Sequence, residues 1–528
     1  MLNHSFGIYR RISLLYARGI HISDILDFMG IKTVYVYGIG EMGKIVLSDL
    51  SDKISIPATF DMKAEEKENI KITKKFGING ELKDYSYSVF LPTRIPNDST
   101  PILITPANNY QEISTMLKSL GFKSKRFLSL NLVLFYGMYY QNEIMKRNRQ
   151  LYVSSREFLI VGGQFSNKGS QAMVFIAVNE IRKRYRDALV WFCPNFWDNE
   201  YRNEEKYKMI FLVDGTSADS TLYEVLPRLD GMIDVSGYAL ASHGKINATE
   251  RYMNYLRMAK EFEIPIYIMP QSFGPFDYDD TTIDELQTLL SYAKVIYARE
   301  QSGYNLLTNT FDLTNVRKSK DLVLQNKDIN LNEIYTEAPA ISDIIQRYKL
   351  STENNVAIIP NMQNYNYGNQ KKVLQLYIDI IWKLLSLGKE VYIISHLEDE
   401  IICTDIYNEF QENEKVHLYS QHFDCVEFTA LVKNFQYLVA SRFHSIVHAY
   451  KEFRPCVVIG WAEKYKALLK DFKQEKYMFD VRKQIDNQEV LSVIEYMDHE
   501  YINEAKVIFS IIPEMQKENC FEVLDELD

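Results

Sequence analysis

The segment richest in chemistry is Ser441-Arg442-Phe443-His444-Ser445, which follows the β-branched and aromatic run Tyr437 to Ala440 and opens an apolar stretch containing His448. An arginine and a histidine two residues apart at a strand-to-helix junction point toward a helix N-terminus. There the unpaired N–H groups and the dipole favour an anion, and arginine forks onto phosphate or carboxylate. His444 adds a group that titrates near neutrality. The next strand-like run, Pro455 to Ile459, leads into Gly460-Trp461-Ala462-Glu463-Lys464-Tyr465 and brings a further cation, Lys464, to the same edge. His448 lies four residues after His444 on one helix face. Zinc chemistry of the H-E-x-x-H kind needs a glutamate where Ser445 stands, so no metal is expected and His448 reads as a packed helix residue.

Other strand ends deliver polar groups of the same kind. Phe158 to Val161 runs into a glycine-bearing loop, Gly162-Gly163-Gln164-Phe165-Ser166-Asn167-Lys168-Gly169-Ser170, before a helix. Gly163 permits close backbone approach, and Asn167 and Lys168 can donate to an anionic group. Ile264 to Met269 ends in Pro270-Gln271, Lys294 to Tyr297 in Ala298-Arg299-Glu300, and Val356 to Ile359 precedes Asn361. Gln271, Asn361 and Ser445 are thereby candidates for lining one cleft. Arg299 reads either as a site cation or as an ion-pair partner of Glu300.

Such residues need a parallel sheet to gather them, because ligands of open α/β folds bind outside the carboxyl ends of the strands. The 528 residues suffice for roughly three domains. Strand-like runs alternate with longer amphipathic stretches almost throughout, the pattern of βα units. The pattern breaks at 136–156 and at 326–354. This gives a first unit over 1–135, a linker over 136–156, a second unit over 157–325, a connecting segment over 326–354 and a third unit over 355–528. In the first unit Lys32 to Tyr37 runs straight into Gly38-Ile39-Gly40-Glu41-Met42-Gly43, and Asp61 ends the next strand 18 residues after Gly43. Gly38, Gly40, Gly43 and Asp61 thus outline a small Rossmann-like unit with a candidate nucleotide site, the glycines for a phosphate and the acid for a ribose. The other reading keeps the turn for packing alone.

Sixty basic against seventy acidic residues give a formal charge of −10, which offers no global attraction for nucleic acid or anionic lipid. The N-terminal twenty residues lack a continuous apolar core and a cleavage site, and no run of about 18 apolar residues occurs. Five widely spaced cysteines without CxxC spacing read as buried thiols of a reducing compartment, so a cytoplasmic location is expected.

The motifs GGQFSNKGSQAM, PQSFGP, YAREQSGYNLL, KDLVL, SRFHSIVHAY and GWAEKY occur in the order found in the polysaccharide pyruvyl transferase family, which this chain resembles from about residue 157 to about residue 475. The resemblance implies a glycosyltransferase-B-like pair of Rossmann-like domains, here preceded by the additional small Rossmann-like unit. It also implies transfer of a pyruvyl group from phosphoenolpyruvate to sugar hydroxyls as a ketal, in the synthesis of cell-surface polysaccharide or exopolysaccharide. Phosphoenolpyruvate would be the donor substrate and no cofactor would be required. Arg299, Arg442 and His444 fall at positions that bind phosphoenolpyruvate, His444 being the catalytic residue, with Lys464, Gln271 and Asn361 as secondary cleft residues. The family loop often reads N-x-G-D, whereas Ser170 follows Gly169 here. Lys146, Arg147 and Arg149 read either as a solvated helix face or as a contact with the inner face of a membrane that holds a lipid-linked acceptor. Two other readings stand beside this one: a nucleotide-sugar glycosyltransferase of the same architecture, and a non-catalytic component of a polysaccharide assembly complex. An NAD-dependent oxidoreductase is disfavoured because the acid–base candidate His444 lies some 400 residues from the first glycine loop.

Overall fold

The computed structural model describes residues 8–527 other than 10, 14, 17–18, 51, 65–68, 77–80, 107–108, 141–155, 196–205, 213–221, 243–245, 342–349, 351–352, 397–398 and 421–422. Lys146, Arg147 and Arg149, with most of the expected linker, lie outside the described residues.

Three sheets form in chain order. The first contains β1 (Tyr35–Tyr37), β2 (Thr59–Phe60), β3 (Asn69–Phe76), β4 (Glu81–Phe90), β5 (Ile102–Ile104) and β6 (Phe127–Ser129), in the order β3-β4-β2-β1-β5-β6. It is parallel except for the β3–β4 pair. Helix α1 (Glu41–Leu50) follows β1, and α2 (Leu130–Tyr140) follows β6. The expected boundary after residue 135 falls inside α2, and this helix ties the first unit to the second. Tyr136 donates to Glu157 Oε1 at 2.9 Å and packs edge-on against Trp191, whose indole N–H donates to Glu157 Oε2 at 2.9 Å. One apolar core runs through both units.

The second sheet contains β7 (Glu157–Val161), β8 (Leu189–Cys193), β9 (Ile210–Phe211), β10 (Gly231–Asp234), β11 (Ile266–Gln271), β12 (Val295–Ala298) and β13 (Val316–Lys318). Its order is β13-β12-β11-β10-β7-β8-β9, all parallel. Helices α3 (Lys168–Arg184), α4 (Ile246–Glu261) and the short α5 (Leu322–Gln325) belong to it. The third sheet contains β14 (Asn355–Ile359), β15 (Glu390–Ile394), β16 (Val416–Tyr419), β17 (Tyr437–Ala440), β18 (Cys456–Gly460) and β19 (Met478–Asp480), in the order β16-β15-β14-β17-β18-β19, again all parallel. Its helices include α6 (Met362–Tyr367), α7 (Phe443–Lys451), α8 (Glu463–Asp471) and α9 (Asn487–Met515).

Numbered within each unit, the third sheet reads 3-2-1-4-5-6 and the second the same with a seventh strand added, 3-2-1-4-5-6-7; this is the doubly wound Rossmann order, in which the chain reverses direction between strands 1 and 4. Here those reversals lie between β7 and β10 and between β14 and β17. Strands such as β7 and β17 are buried along their whole length, as parallel strands covered on both faces must be, and this explains their unbroken apolar runs. The architecture is the α/β, glycosyltransferase-B-like pair of Rossmann-like domains, preceded by a third α/β unit.

After α9 the chain leaves the third unit and returns to the second. Tyr297 donates to the Cys520 carbonyl, Tyr185 to that of Leu524 and Arg156 to that of Leu527. The range 355–528 is therefore not one unit in space: its last residues pack on the second. All five cysteines are buried, and none forms a disulfide. Among the described residues no helix is long and apolar enough to cross a membrane, and no cluster of three or more His, Cys, Asp or Glu side chains is arranged to hold a metal.

Candidate active site

The two reversal points face each other across a cavity of about 290 Å³, at the lower end of the size of small-ligand sites. From the second unit come Gly162, Asn167 and Ser170 of the β7–α3 loop, Ser236 to Ala239 after β10, Arg251 of α4 and Arg299 after β12. From the third come Phe443 and His444 at the start of α7 and Lys464 of α8. Among the described residues Arg251, Arg299, Lys464 and His444 line the cavity, and no Asp or Glu does. A wall of that composition attracts an anion although the chain as a whole carries −10.

Local backbone chemistry sets the wall. Asn167 caps α3, its Oδ1 accepting from the N–H groups of Gly169 at 3.1 Å and Ser170 at 3.4 Å. Ser170 Oγ accepts from the Gln164 N–H at 2.9 Å, so the serine closes the loop without adding a negative charge. Gly162 has φ +82°, and a Cβ there would strike Ser236 and Asp234. In contrast, α7 and α8 begin with Arg442 and Ala462 as caps, neither making a side-chain cap bond. Their leading N–H groups are not satisfied by caps and remain suited to an anion.

His444 is placed by partners from the opposite unit. A Cβ on Gly169 would overlap its ring, so only glycine lets α3 begin this close to it. Its Nε2 lies 3.6 Å from Oδ2 of Asp321, and the same oxygen accepts from Arg299 Nη1 at 2.6 Å, while Oδ1 caps α5 through the Val323 N–H at 2.9 Å. Burial would raise the Asp321 pKa, but His444, Arg299 and that N–H outweigh it and hold the carboxyl below its usual range. Burial pushes the His444 imidazole down from 6.5, with Arg299 and Lys464 adding to it and Asp321 opposing. Without a bound anion the ring is therefore neutral at pH 7. Burial, then Arg299, pushes the Lys464 ammonium down to about 8.

The expected site residues thus fall into two groups. Arg299, Asn167, Lys464 and His444 line the cavity. Arg299 is not engaged mainly with Glu300, 3.8 Å away; besides Asp321, it donates to the Gly237 carbonyl and Ser272 Oγ, and its ring-stacked guanidinium lies 4.8 Å from the Phe443 ring centre. Arg442, Gly163, Lys168, Gln271, Asn361 and Ser445 do not line it. Arg442 forks onto the buried Asp399, and Ser445 donates to the Arg442 carbonyl. Gln271 lies behind the wall, donating to Asp234 and to the hydroxyl of Tyr252. Asn361 caps α6 and donates to the Ser441 carbonyl, while Gly163 faces Val174, where a Cβ would clash. Lys168 is buried at the start of α3, donating to the Ser166 carbonyl. His448 packs as expected, bonded to Thr429 Oγ1 at 2.9 Å and edge-on to Phe428.

Sequence reading missed Asp321 and Arg251. Asp321 is the acid of KDLVL, and the signal was its position right after a strand; Arg251 sits inside an ordinary amphipathic helix and carried none. In the first unit Gly38 has φ +88°, and a Cβ on Gly43 would strike the Gly38 carbonyl, so the packing of α1 on β1 itself demands these glycines. Asp61 accepts from the backbone N–H groups of Ile39 at 2.8 Å and Lys63 at 2.9 Å. Its carboxylate serves the turn, and Glu41 at the start of α1 adds negative charge where a phosphate would sit. These residues do not fit a nucleotide well.

A family model described as polysaccharide pyruvyl transferase matches residues 167–463, more than half of the chain, from the Asn167 cap to the first residue of α8. The chain belongs to the polysaccharide pyruvyl transferase family. Membership makes it a transferase of polysaccharide biosynthesis, with a polysaccharide as the implied acceptor. No curated protein matches the chain. Among solved structures it is similar to UDP-GlcNAc 2-epimerase from Neisseria meningitidis bound to UDP-GlcNAc, at 12% identity and TM-score 0.46 over 70% of this chain and 99% of that one. It is similar also to UDP-GlcNAc 2-epimerase from Methanocaldococcus jannaschii, at 11% and 0.45 over 65% and 92%. A glycosyltransferase from Rickettsia africae gives 8% and 0.44 over 71% and 99%.

Proposed function

We propose that this family member transfers the pyruvyl group of phosphoenolpyruvate to two hydroxyls of a sugar, forming a ketal. The observation that carries the reading is the cavity wall, which among the described residues holds Arg251, Arg299, Lys464 and His444 and no carboxylate. Phosphoenolpyruvate carries its phosphate and its carboxylate on one carbon, C2, and a small cationic cavity at two doubly wound reversal points suits both.

The reaction needs a proton at the methylene carbon C3, attack of one sugar hydroxyl at C2, rupture of the C2–O bond to phosphate, and closure by the second hydroxyl. The two hydroxyl protons end on C3 and on phosphate, so atoms and charge balance without a cofactor. His444 delivers the proton. Its ring is neutral before binding, and the incoming anion reverses the bias of Arg299 and Lys464, raising its pKa so that it takes up a proton as the donor docks. Asp321 steadies the ring in the manner of carboxylate–histidine pairs. Arg299, Arg251 and Lys464 hold the anion and support charge on the departing phosphate. Arg442, forked onto Asp399, fixes the backbone at the start of α7.

Calorimetric titration with phosphoenolpyruvate in buffers of different ionisation enthalpy tests this reading. Saturable binding with proton uptake, lost in His444→Ala, is expected; no binding of phosphoenolpyruvate, with binding of a nucleotide sugar instead, overturns it.

A further inference from the structure

Beside the cationic cavity the cleft carries an aromatic rim in which Trp461 packs against the apolar core on one side and Tyr367 lies outside that core. The rings of Tyr367, the last residue of α6, and Trp461, the first after β18, stack with centroids 4.6 Å apart and planes 7° from parallel. Tyr367 is 46% exposed although flat against a second ring, so it adds no core packing, and Trp461 anchors it to the core. Both rings stand at the carboxyl ends of β14 and β18, the ligand edge of the third sheet. Tyr238, 36% exposed, stands opposite on the second unit after β10 and lines the cavity. Lys464 joins the two features: its ammonium is 4.9 Å from the Tyr238 ring centre, 5.4 Å from that of Phe443 and 5.7 Å from that of Trp461.

We infer that the Tyr367–Trp461 stack is the platform for the pyranose ring of the acceptor, with Tyr238 as its opposite wall; this rests on the pyruvyl-transfer reading. The C–H bonds on one face of a pyranose carry slight positive charge and meet the negative face of an aromatic ring, whereas its hydroxyls point outward from the edge. A sugar lying flat on Tyr367 turns edge hydroxyls toward Lys464 and the cavity, where the acceptor diol must meet C2 of the donor. Trp461 is held from behind, with Tyr465 edge-on to it at 6.4 Å, so the platform is rigid before the sugar arrives. Aromatic stacking selects ring shape and leaves the two reacting hydroxyls uncovered.

The test uses the full chain and four probes, the methyl β-glycosides of galactose, glucose, mannose and N-acetylmannosamine, read by saturation-transfer NMR beside calorimetry with phosphoenolpyruvate. Wild-type protein should transfer saturation to the ring C–H protons of at least one probe. Tyr367→Ala should reduce that transfer at least five-fold, Tyr367→Phe should retain it, and neither should change phosphoenolpyruvate affinity by more than two-fold. No transfer from wild type to any probe, or equal transfer in Tyr367→Ala, overturns the platform. Loss of sugar transfer in Tyr367→Ala with no phosphoenolpyruvate binding in wild type upholds the platform and overturns the donor reading alone.

Discussion

Asp321 and His444 come from different units, yet one oxygen of Asp321 lies 3.6 Å from His444 Nε2 while also accepting from Arg299 of its own unit. The carboxylate therefore orients the His444 ring only when the two halves are together, and it couples that ring to Arg299. Asp321→Asn keeps the size and the cap on α5 but removes the charge. Phosphate release from phosphoenolpyruvate should fall at least about 100-fold, within the range for loss of an orienting carboxylate. Because Asp321 raises the His444 pKa and a general acid must be protonated to act, its loss should also move the alkaline limb of the pH–rate profile to lower pH. An unchanged limb would place Asp321 outside the mechanism.

Gly169 is the counterpart on the other side of the ring. Gly169→Ala puts a methyl group where the His444 imidazole lies, and the helix start beneath it is capped and cannot retreat freely. Turnover should drop roughly 100-fold by displacement of the ring, as misplaced reacting groups do, with little change in melting temperature. Retention of wild-type kcat would show that His444 need not occupy this position.

Lys464 makes donor affinity depend on pH. Its ammonium is held down to about 8, so the charge is lost as pH rises through that value in the unliganded protein, and a bound anion favours the protonated form. Affinity for phosphoenolpyruvate should weaken with rising pH through His444 and fall more steeply above pH 8, where Lys464 also loses its proton. Titrations on Lys464→Met should be weaker throughout and lack the added steepness above pH 8; added steepness that persists assigns it to another group.

Two buried histidines set the acid stability. Burial holds His448 down to about 3, and burial with Arg442 beside it holds His396 well below 6.5. Folded pKa values below the unfolded value mean that the unfolded chain binds more protons under pH 6.5. Stability is therefore complete above 6.5 and declines as pH falls, by about 1.4 kcal/mol per unit for each histidine. Urea denaturation between pH 6.5 and 5 should show this slope, and His448→Gln should lessen it by about that amount. An unaltered slope would mean that His448 is not excluded from protonation by the fold.

The sheets were legible in the sequence because parallel strands buried on both faces write continuous apolar runs: Tyr437 to Ala440 matches β17 to the residue, and Phe158 to Val161 and Val356 to Ile359 fall one residue short of β7 and β14. Strand β3 was not, because Asn69–Phe76 is a lysine-bearing edge strand whose pairing with β4 is decided by the hairpin rather than by burial. At the site, Arg299, His444, Lys464 and Asn167 could be seen because each stands at a strand end. What spacing cannot show is which way a side chain turns. Arg442 and His444 are two residues apart, but one forks onto Asp399 and the other enters the cavity. The role of Asp321 is a contact between units and leaves no local trace beyond its place after a strand. The return of Cys520 to Leu527 onto the second unit is likewise a matter of tertiary packing alone.

The proposed role of His444 in pyruvyl transfer is tested by supplying phosphoenolpyruvate and a hexoside acceptor together and recording inorganic phosphate and the methyl resonance of the product by NMR. One phosphate should be released for each ketal methyl formed by the wild-type protein, with a loss of at least about 100-fold in His444→Ala, as expected for removal of a general acid. Phosphate release without ketal formation, or ketal formation at the wild-type rate in His444→Ala, would contradict it.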